Sequence, residues 1–294
     1  GFNIVWNMLA VVFYFVPYFA FMSWYLFRLK PILVIAVFCG LIYLEHHMSC
    51  TILIFLIGAS LMWAGGSNWK LFAIGVGIVA AVAVLVVVNP ELLENYAGER
   101  IRAWLDKSYS PDDLRWQTNN SLYAIGSGGL KGLGLGNSVE KQLWLPESTN
   151  DFIFSVVCEE LGFIGATLII VLFILFIVQG LLIAYKAENQ FCTMVGIGIM
   201  AQIAWQVFCN IAVVTNTIPN TGISLPFFSS GGTSLILLLA EMGVMVNIGR
   251  NGERVAQQRE QMRAQREAAR AEREAELARK TIDLASARAA RTEQ

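Results

Sequence analysis

Residues 152–183 read FIFSVVCEELGFIGATLIIVLFILFIVQGLLI, an apolar run broken only by Glu159 and Glu160 near its start. A bilayer core of about 30 Å calls for roughly 20 apolar residues in a helix, and this run is longer than that. Comparable runs lie at 8–27, 31–45, 51–65, 70–88, 191–215 and 232–248. They are continuously apolar rather than alternating, which points to helices and not to a barrel. Charged residues make up 15% of the chain, against about 25% in an ordinary soluble domain. They crowd into 89–151 and into a tail that starts at Arg250. The expected architecture is an all-α, polytopic membrane protein of about seven spans over 1–249, with a large loop at 89–150. A charged tail, helical or disordered, covers 250–294.

Composition excludes several classes of function. The net charge of −1 supplies no field for nucleic acid, so no such partner is expected. Cys39, Cys50, Cys158, Cys192 and Cys209 are scattered singly, without metal or disulfide spacing. The chain opens at Gly1 with no basic n-region, so no signal peptide is expected.

Short connectors orient the spans. Arg28, Lys30, Lys70, Lys186 and the Arg-rich tail all fall on one face, expected to be cytoplasmic. The opposite face receives 45–50, the loop 89–150 and the segment 215–232. These three hold nearly all the unusual chemistry, so the functional site is expected to face outward.

The long loop opens with Asn89-Pro90, a helix-start signal. An amphipathic stripe follows at Leu92, Leu93, Tyr96, Ile101, Trp104 and Leu105, and a second start lies at Ser110-Pro111-Asp112-Asp113. Arg100, Arg102, Lys107, Arg115, Lys131 and Lys141 make the loop rich in cations. The glycine-rich run 126–136, GSGGLKGLGLG, is neither a Walker loop nor a dinucleotide fingerprint. Its amides suit either an anion-binding nest or a tight turn packed against the helices.

Asp151 stands where loop becomes span, with Asn150 expected to cap the helix. Glu147, Asp151, Glu159 and Glu160 are too many acids for a membrane boundary unless some of them work. Along a helix Asp151 and Glu159 would lie about 12 Å apart, and Glu160 would point away from Asp151. That separation exceeds a glycosidase-type pair, so Asp151 is expected to act alone. Glu159 or Glu160 is expected to pair with a cation or polar group from another span. The segment 215–232, TNTIPNTGISLPFFSSGG, has no charge and cannot be one helix. Such backbone at membrane depth lines a cavity or packs inside protein. Gln202, Gln206 and Asn210, at i, i+4 and i+8, form a polar stripe on the preceding span. Adjacent His46 and His47 do not share a helix face and make a poor zinc site.

These stretches resemble the SEDS family (shape, elongation, division and sporulation), the FtsW, RodA and SpoVE type. The match is carried by Leu44-Glu45, His47, Ser49 and Thr51, and by 99–106 with Gln117. It continues through 121–136, Leu145-Pro146-Glu147, 150–154, 159–162 and 221–232. The resemblance implies a fold of about ten spans, of which this chain would begin at the fourth. It implies a peptidoglycan glycosyltransferase that polymerises lipid II in division, elongation or sporulation, inverting the anomeric carbon of an undecaprenyl-pyrophosphate-linked donor. By that resemblance Asp151 is the catalytic base. Arg100, Arg102, Lys131 and Lys141 would bind pyrophosphate, and Gln117, Glu147, Ser229 and Ser230 complete the substrate site. Glu159, Glu160, Gln206 and Asn210 form the polar interior. Glu147 and Asp151 are the candidates to hold a divalent cation, Mg or Mn; no organic cofactor is implied. The implied partners are lipid II, a class B penicillin-binding protein and other divisome or elongasome membrane proteins. The implied location is the bacterial plasma membrane, with the tail cytoplasmic and the site extracytoplasmic. A lipid II flippase and a non-catalytic membrane scaffold are the competing readings.

Overall fold

The computed structural model describes residues 30–45, 48–66, 96–105, 112–142 and 144–292, with a few helical residues between 73 and 88. The span at 8–27, most of the one at 70–88, the starts at 89–93 and 110–111, and His46 and His47 lie outside the described residues.

Every regular element among the described residues is a helix. Helix α1 covers Lys30–Leu44, α2 Met48–Ala64, α3 Tyr96–Leu105 and α4 Asp112–Ser127. Helix α5 covers Ile153–Tyr185, α6 Gln190–Val214 and α7 Gly232–Thr292. Three of these, within α5, α6 and α7, are long and apolar enough to cross a membrane, and α1 and α2 are shorter apolar helices. They coincide with five of the runs read from the sequence.

The core lies between α5, α6 and α7. Phe154, Met200, Ile203, Val214, Leu238 and Met245 pack there, joined by Phe152 and by Leu225 from the 215–231 segment. Small residues let α5 and α6 approach closely. A Cβ on Gly180 would stand 2.0 Å from Met200 Sδ, and one on Gly196 would stand 2.7 Å from Ala184 Cβ. This is the packing expected where lipid removes the hydrophobic drive between helices. Helix α2 joins through Leu53, Ile57, Leu61 and Met194, with Trp205 Nε1 donating to Ser60 Oγ at 3.0 Å. Elsewhere α5 shows Phe163, Ile164, Leu168, Leu172, Leu175 and Leu182 to its surroundings. So large an apolar face is stable only against lipid or another apolar surface.

The 33-residue length of α5 has a physical explanation. Gly162 has φ 65 and ψ −171, so two helices meet at a break. Residues 163–185 alone span about 34 Å at 1.5 Å per residue, enough for the bilayer core. The turns before Gly162 belong to the protein interior, where Phe154, Ser155, Val156, Cys158 and Glu159 are buried.

A break strands backbone groups that must find partners. The glycine-rich run supplies them. Leu133 N donates to Glu159 O and Gly134 N to Glu160 O, both at 2.9 Å. In return Phe163 N donates to Gly129 O at 2.9 Å and Ile164 N to Leu130 O at 3.2 Å. The run is therefore a turn packed on the bundle, and these amides serve protein carbonyls rather than an anion. A Cβ at Gly132 would stand 2.1 Å from Glu160 O, and Gly132 has φ +77.

Gly132→Ala is therefore expected to cost about 2–5 kcal/mol from overlap and backbone strain. Gly126→Ala, whose Cβ meets nothing within 4 Å, should be neutral or gain up to about 1 kcal/mol. Thermal unfolding of the detergent-solubilised protein, followed by tryptophan fluorescence, separates them. Equal midpoints would show that the turn does not hold the break.

Candidate functional site

Four segments meet at the loop-facing end of α6. Asn210, fully buried on α6, donates through Nδ2 to Asp151 O and to Ile223 O, both at 2.7 Å. One amide thus ties the turn before α5 to the segment 215–231. Ser229 Oγ donates to Asn150 O at 2.8 Å and Ser230 N to Thr149 O at 2.9 Å, closing the same seam two residues upstream. Ser229 Oγ also accepts from Leu225 N at 2.8 Å. Below the seam a buried hydroxyl ladder links three helices: Ser121 Oγ lies 2.6 Å from Ser155 Oγ and donates to Val214 O at 2.8 Å.

Helices α3 and α4 grip the other side of 215–231. Arg100 and Trp104 share a face of α3 at i and i+4. Arg100 Nη1 donates to Asn220 O at 2.8 Å, and Trp104 Nε1 donates to Asn216 O at 3.1 Å. From α4, Gln117 Oε1 accepts from Asn220 Nδ2 at 3.0 Å. Asn220 Oδ1 accepts from Gly222 N at 3.1 Å, which steadies the left-handed turn at Gly222 (φ +65).

The Asp151 carboxylate lies against that turn. A Cβ on Gly222 would come within 3.2 Å of Asp151 Oδ2, so glycine leaves this face of the carboxylate open. Burial raises the Asp151 pKa above its ordinary value, and the negative charge of Glu147 raises it further. Arg100 opposes both with its positive charge. The result is one half-buried carboxylate, a second, exposed one at Glu147, and an arginine. Glu147 has φ 53 and accepts from Asn150 Nδ2 at 2.7 Å. Asn150 therefore does not cap α5 as its position suggested. The residue at the helix start is Phe152, which has no capping side-chain bond.

The structure thus brings together Asp151, Glu147, Arg100, Gln117, Ser229, Ser230 and Asn210. It sends other expected site residues elsewhere. Glu159 accepts from Ser138 Oγ and, at 2.9 Å, from Val139 N, while Glu160 pairs with Lys141 Nζ. Their partners come from the loop, not from another span, because the break at Gly162 brings 128–142 alongside. Lys141 is thus engaged by Glu160. Lys131 is exposed on the loop turn, and Arg102 is half-buried on α3. Among the described residues no contact joins either to the Asp151 cluster. Gln206 is half-buried, while Gln202 Nε2 reaches Glu241 Oε1 on α7 at 3.2 Å.

Sequence reasoning missed Asn220 and Thr221, whose Oγ1 is buried without a protein partner beside Gly222. Both lie inside the uncharged segment, where nothing in residue type singles them out. It also missed Glu241, which an acid within an apolar run does announce.

An all-helical membrane bundle whose long loop and proline-rich segment enclose one shielded carboxylate defines a narrow class of membrane proteins. Residues 7–254 match the family described as Cell cycle protein, FtsW/RodA/SpoVE. The chain belongs to that family. Among similar proteins is Stage V sporulation protein E of Bacillus subtilis (strain 168), 48% identical over 53% of this chain and 42% of that protein. Probable peptidoglycan glycosyltransferase FtsW of Geobacter sp. (strain M18) is 35% identical over 74% of this chain and 58% of its own length. Peptidoglycan glycosyltransferase MrdB of Escherichia coli (strain K12) is 36% identical over 69% and 55%. The chain spans about half the length of these relatives. A solved structure titled "Structural coordination of polymerization and crosslinking by a peptidoglycan synthase complex" shares the fold. Its TM-score is 0.60 at 24% identity, covering 76% of this chain and 61% of the other.

Asn210→Ala would leave the Asp151 and Ile223 carbonyls without their shared donor. A loss of about 1–3 kcal/mol is expected, with faster proteolysis at 215–231. An unchanged unfolding midpoint and cleavage rate would remove Asn210 from the seam.

Proposed function

We propose that this chain carries the glycosyl-transfer site of a lipid-linked-sugar polymerase that extends peptidoglycan strands. The observation that supports it best is the single half-buried Asp151 carboxylate held between Arg100 and Glu147 at the open Gly222 turn. The acceptor is the sugar hydroxyl of one lipid II molecule, and the donor is a glycan on undecaprenyl pyrophosphate. The hydroxyl oxygen attacks the anomeric carbon, its proton passes to Asp151, and the carbon–oxygen bond to pyrophosphate breaks. The leaving group departs with the electron pair and the anomeric centre inverts. Pyrophosphate leaves as a stable anion and needs no general acid, so one base suffices.

Arg100 supplies positive charge beside the base, where pyrophosphate charge develops. Two neighbouring carboxylates, Asp151 and Glu147, also suit a magnesium-like ion, which takes one or two carboxylates plus phosphate oxygens. Such an ion would neutralise the leaving group. Gln117, Ser229 and Ser230 border the site as substrate-positioning groups. Gly252 of α7 packs on the Lys186 carbonyl, so the tail and the α5–α6 connector share one end of the bundle. The cations of that end make it the cytoplasmic one, and Asp151 then faces outward. A class B penicillin-binding protein is the proposed crosslinking partner.

Asp151→Asn should abolish glycan polymer from purified lipid II, with the partner present and the fold intact. Translocation without polymer by the native protein would favour a flippase instead. A base must be deprotonated, so activity falls as pH drops through the Asp151 pKa. That limb should lie above the usual carboxylate range. Glu147→Gln removes a negative neighbour and should move it to lower pH, while Arg100→Gln should move it higher. Rate–pH profiles of the two variants check the signs; coincident limbs would dismiss Asp151 as the base.

A further inference from the structure

Residues 128–136, GGLKGLGLG, carry only four side chains: Leu130, Lys131, Leu133 and Leu135. All four are exposed, the leucines at 69%, 44% and 77%. A turn in water is built from polar residues, and a turn packed inside protein buries its leucines. This one does neither, because its backbone is fixed while its leucines stand clear of the core.

The backbone bonding suits an apolar medium. Gly132 N donates to Gly128 O at 2.8 Å, and Leu133 N and Gly134 N donate to Glu159 O and Glu160 O at 2.9 Å. Amides already held by protein carbonyls can leave water, where bare ones cannot. The same turn accepts from the amides of Phe163 and Ile164, themselves 66% and 61% exposed. Those two residues begin the exposed apolar face of α5 that continues through Leu168, Leu172 and Leu175. Such a face and the leucines bonded to its first residues share one apolar surrounding, which for a membrane helix is lipid. Lys131 fits there too, since a lysine stem lies along apolar surface while its ammonium reaches the phosphate layer. Exposed Trp116 and Tyr123, seven apart on one face of α4, are amphipathic rings of the kind found at that level.

We infer that the turn 129–135 is a membrane-docking surface whose leucines insert among the acyl chains around the first turn of the 163–185 helix. Lys131 marks the headgroup level. Docking there pins the loop beside the break at Gly162, and it holds whether or not Asp151 is the transfer base.

The test is photolabelling of the full chain in nanodiscs of phosphatidylcholine with a diazirine on the acyl chain and no polyprenyl lipid. Adducts are mapped to peptides by mass spectrometry. The turn should label within about threefold of 163–185 and about tenfold or more above the solvated stretch 253–274. Changing Leu130, Leu133 and Leu135 to serine should lower the turn's yield about fivefold or more, and changing them to methionine should keep it. Unchanged labelling of 163–185 would report an intact fold in each variant. In the native chain, a yield at the level of 253–274 would overturn the inference and leave a protein surface as the leucines' cover. Full yield in the serine set would also overturn it.

Discussion

The break at Gly162 is the constraint on which the site depends. An unbroken α5 would need nothing from the loop, and the loop would have no reason to lie where it does. Once the helix breaks, two carbonyls and two amides lose their helical partners and need others. The turn at 129–134 meets all four by exchanging backbone bonds with 159–164. Glycine is required at the contact because both backbones approach closer than any side chain permits. The same docking satisfies Glu159, whose buried carboxylate takes its donors from Ser138 and Val139. Two features that look separate in sequence, a glycine run and a pair of acids within a span, are one structural device.

A second consequence concerns electrostatics. The seam around Asp151 is held mostly by neutral groups: Asn210, Asn220 and Ser229 donate, and Gln117 accepts from Asn220. Amides and hydroxyls fix the backbone without adding charge, so the local field is set by Asp151, Glu147 and Arg100. A carboxylate surrounded by salt bridges would be held strongly ionised and would be a poor acceptor for a proton. Partial burial beside Glu147 makes Asp151 a better one, while the positive charge of Arg100 opposes that rise.

How much of this was legible follows from what residue types reveal. Apolar length is a strong signal, and it placed α1, α2, α5, α6 and the membrane part of α7. Asp151, Glu147 and Arg100 stood out as charges at a membrane boundary, and Gln117 through the resemblance. Asn220 and Thr221 did not, because an uncharged turn gives no reason to prefer one polar residue over the next. The glycine run supported two readings until its partners were known, since a nest and a packed turn use the same residues. The pairing of Lys141 with Glu160 depends on the sharp break at Gly162, and a glycine in an apolar run does not announce positive φ. Asn150 had the right type for a cap, but the turn at Glu147 draws its side chain away from the helix.

The separation of the acids then bears on mechanism. Four carboxylates lie within fourteen residues, and such density invites a two-acid scheme. The structure divides them instead. Glu159 and Glu160 are bound to the loop 138–141 and hold the fold, while Asp151 and Glu147 stand at the other end of the short helix before Gly162. A reaction that had to protonate its leaving group would need a second acid close to the first. The transfer proposed above needs a proton acceptor and positive charge, roles that would fall to Asp151 and Arg100. The division of the acids therefore leaves Asp151, with Glu147 beside it, as the carboxylates at the Gly222 turn.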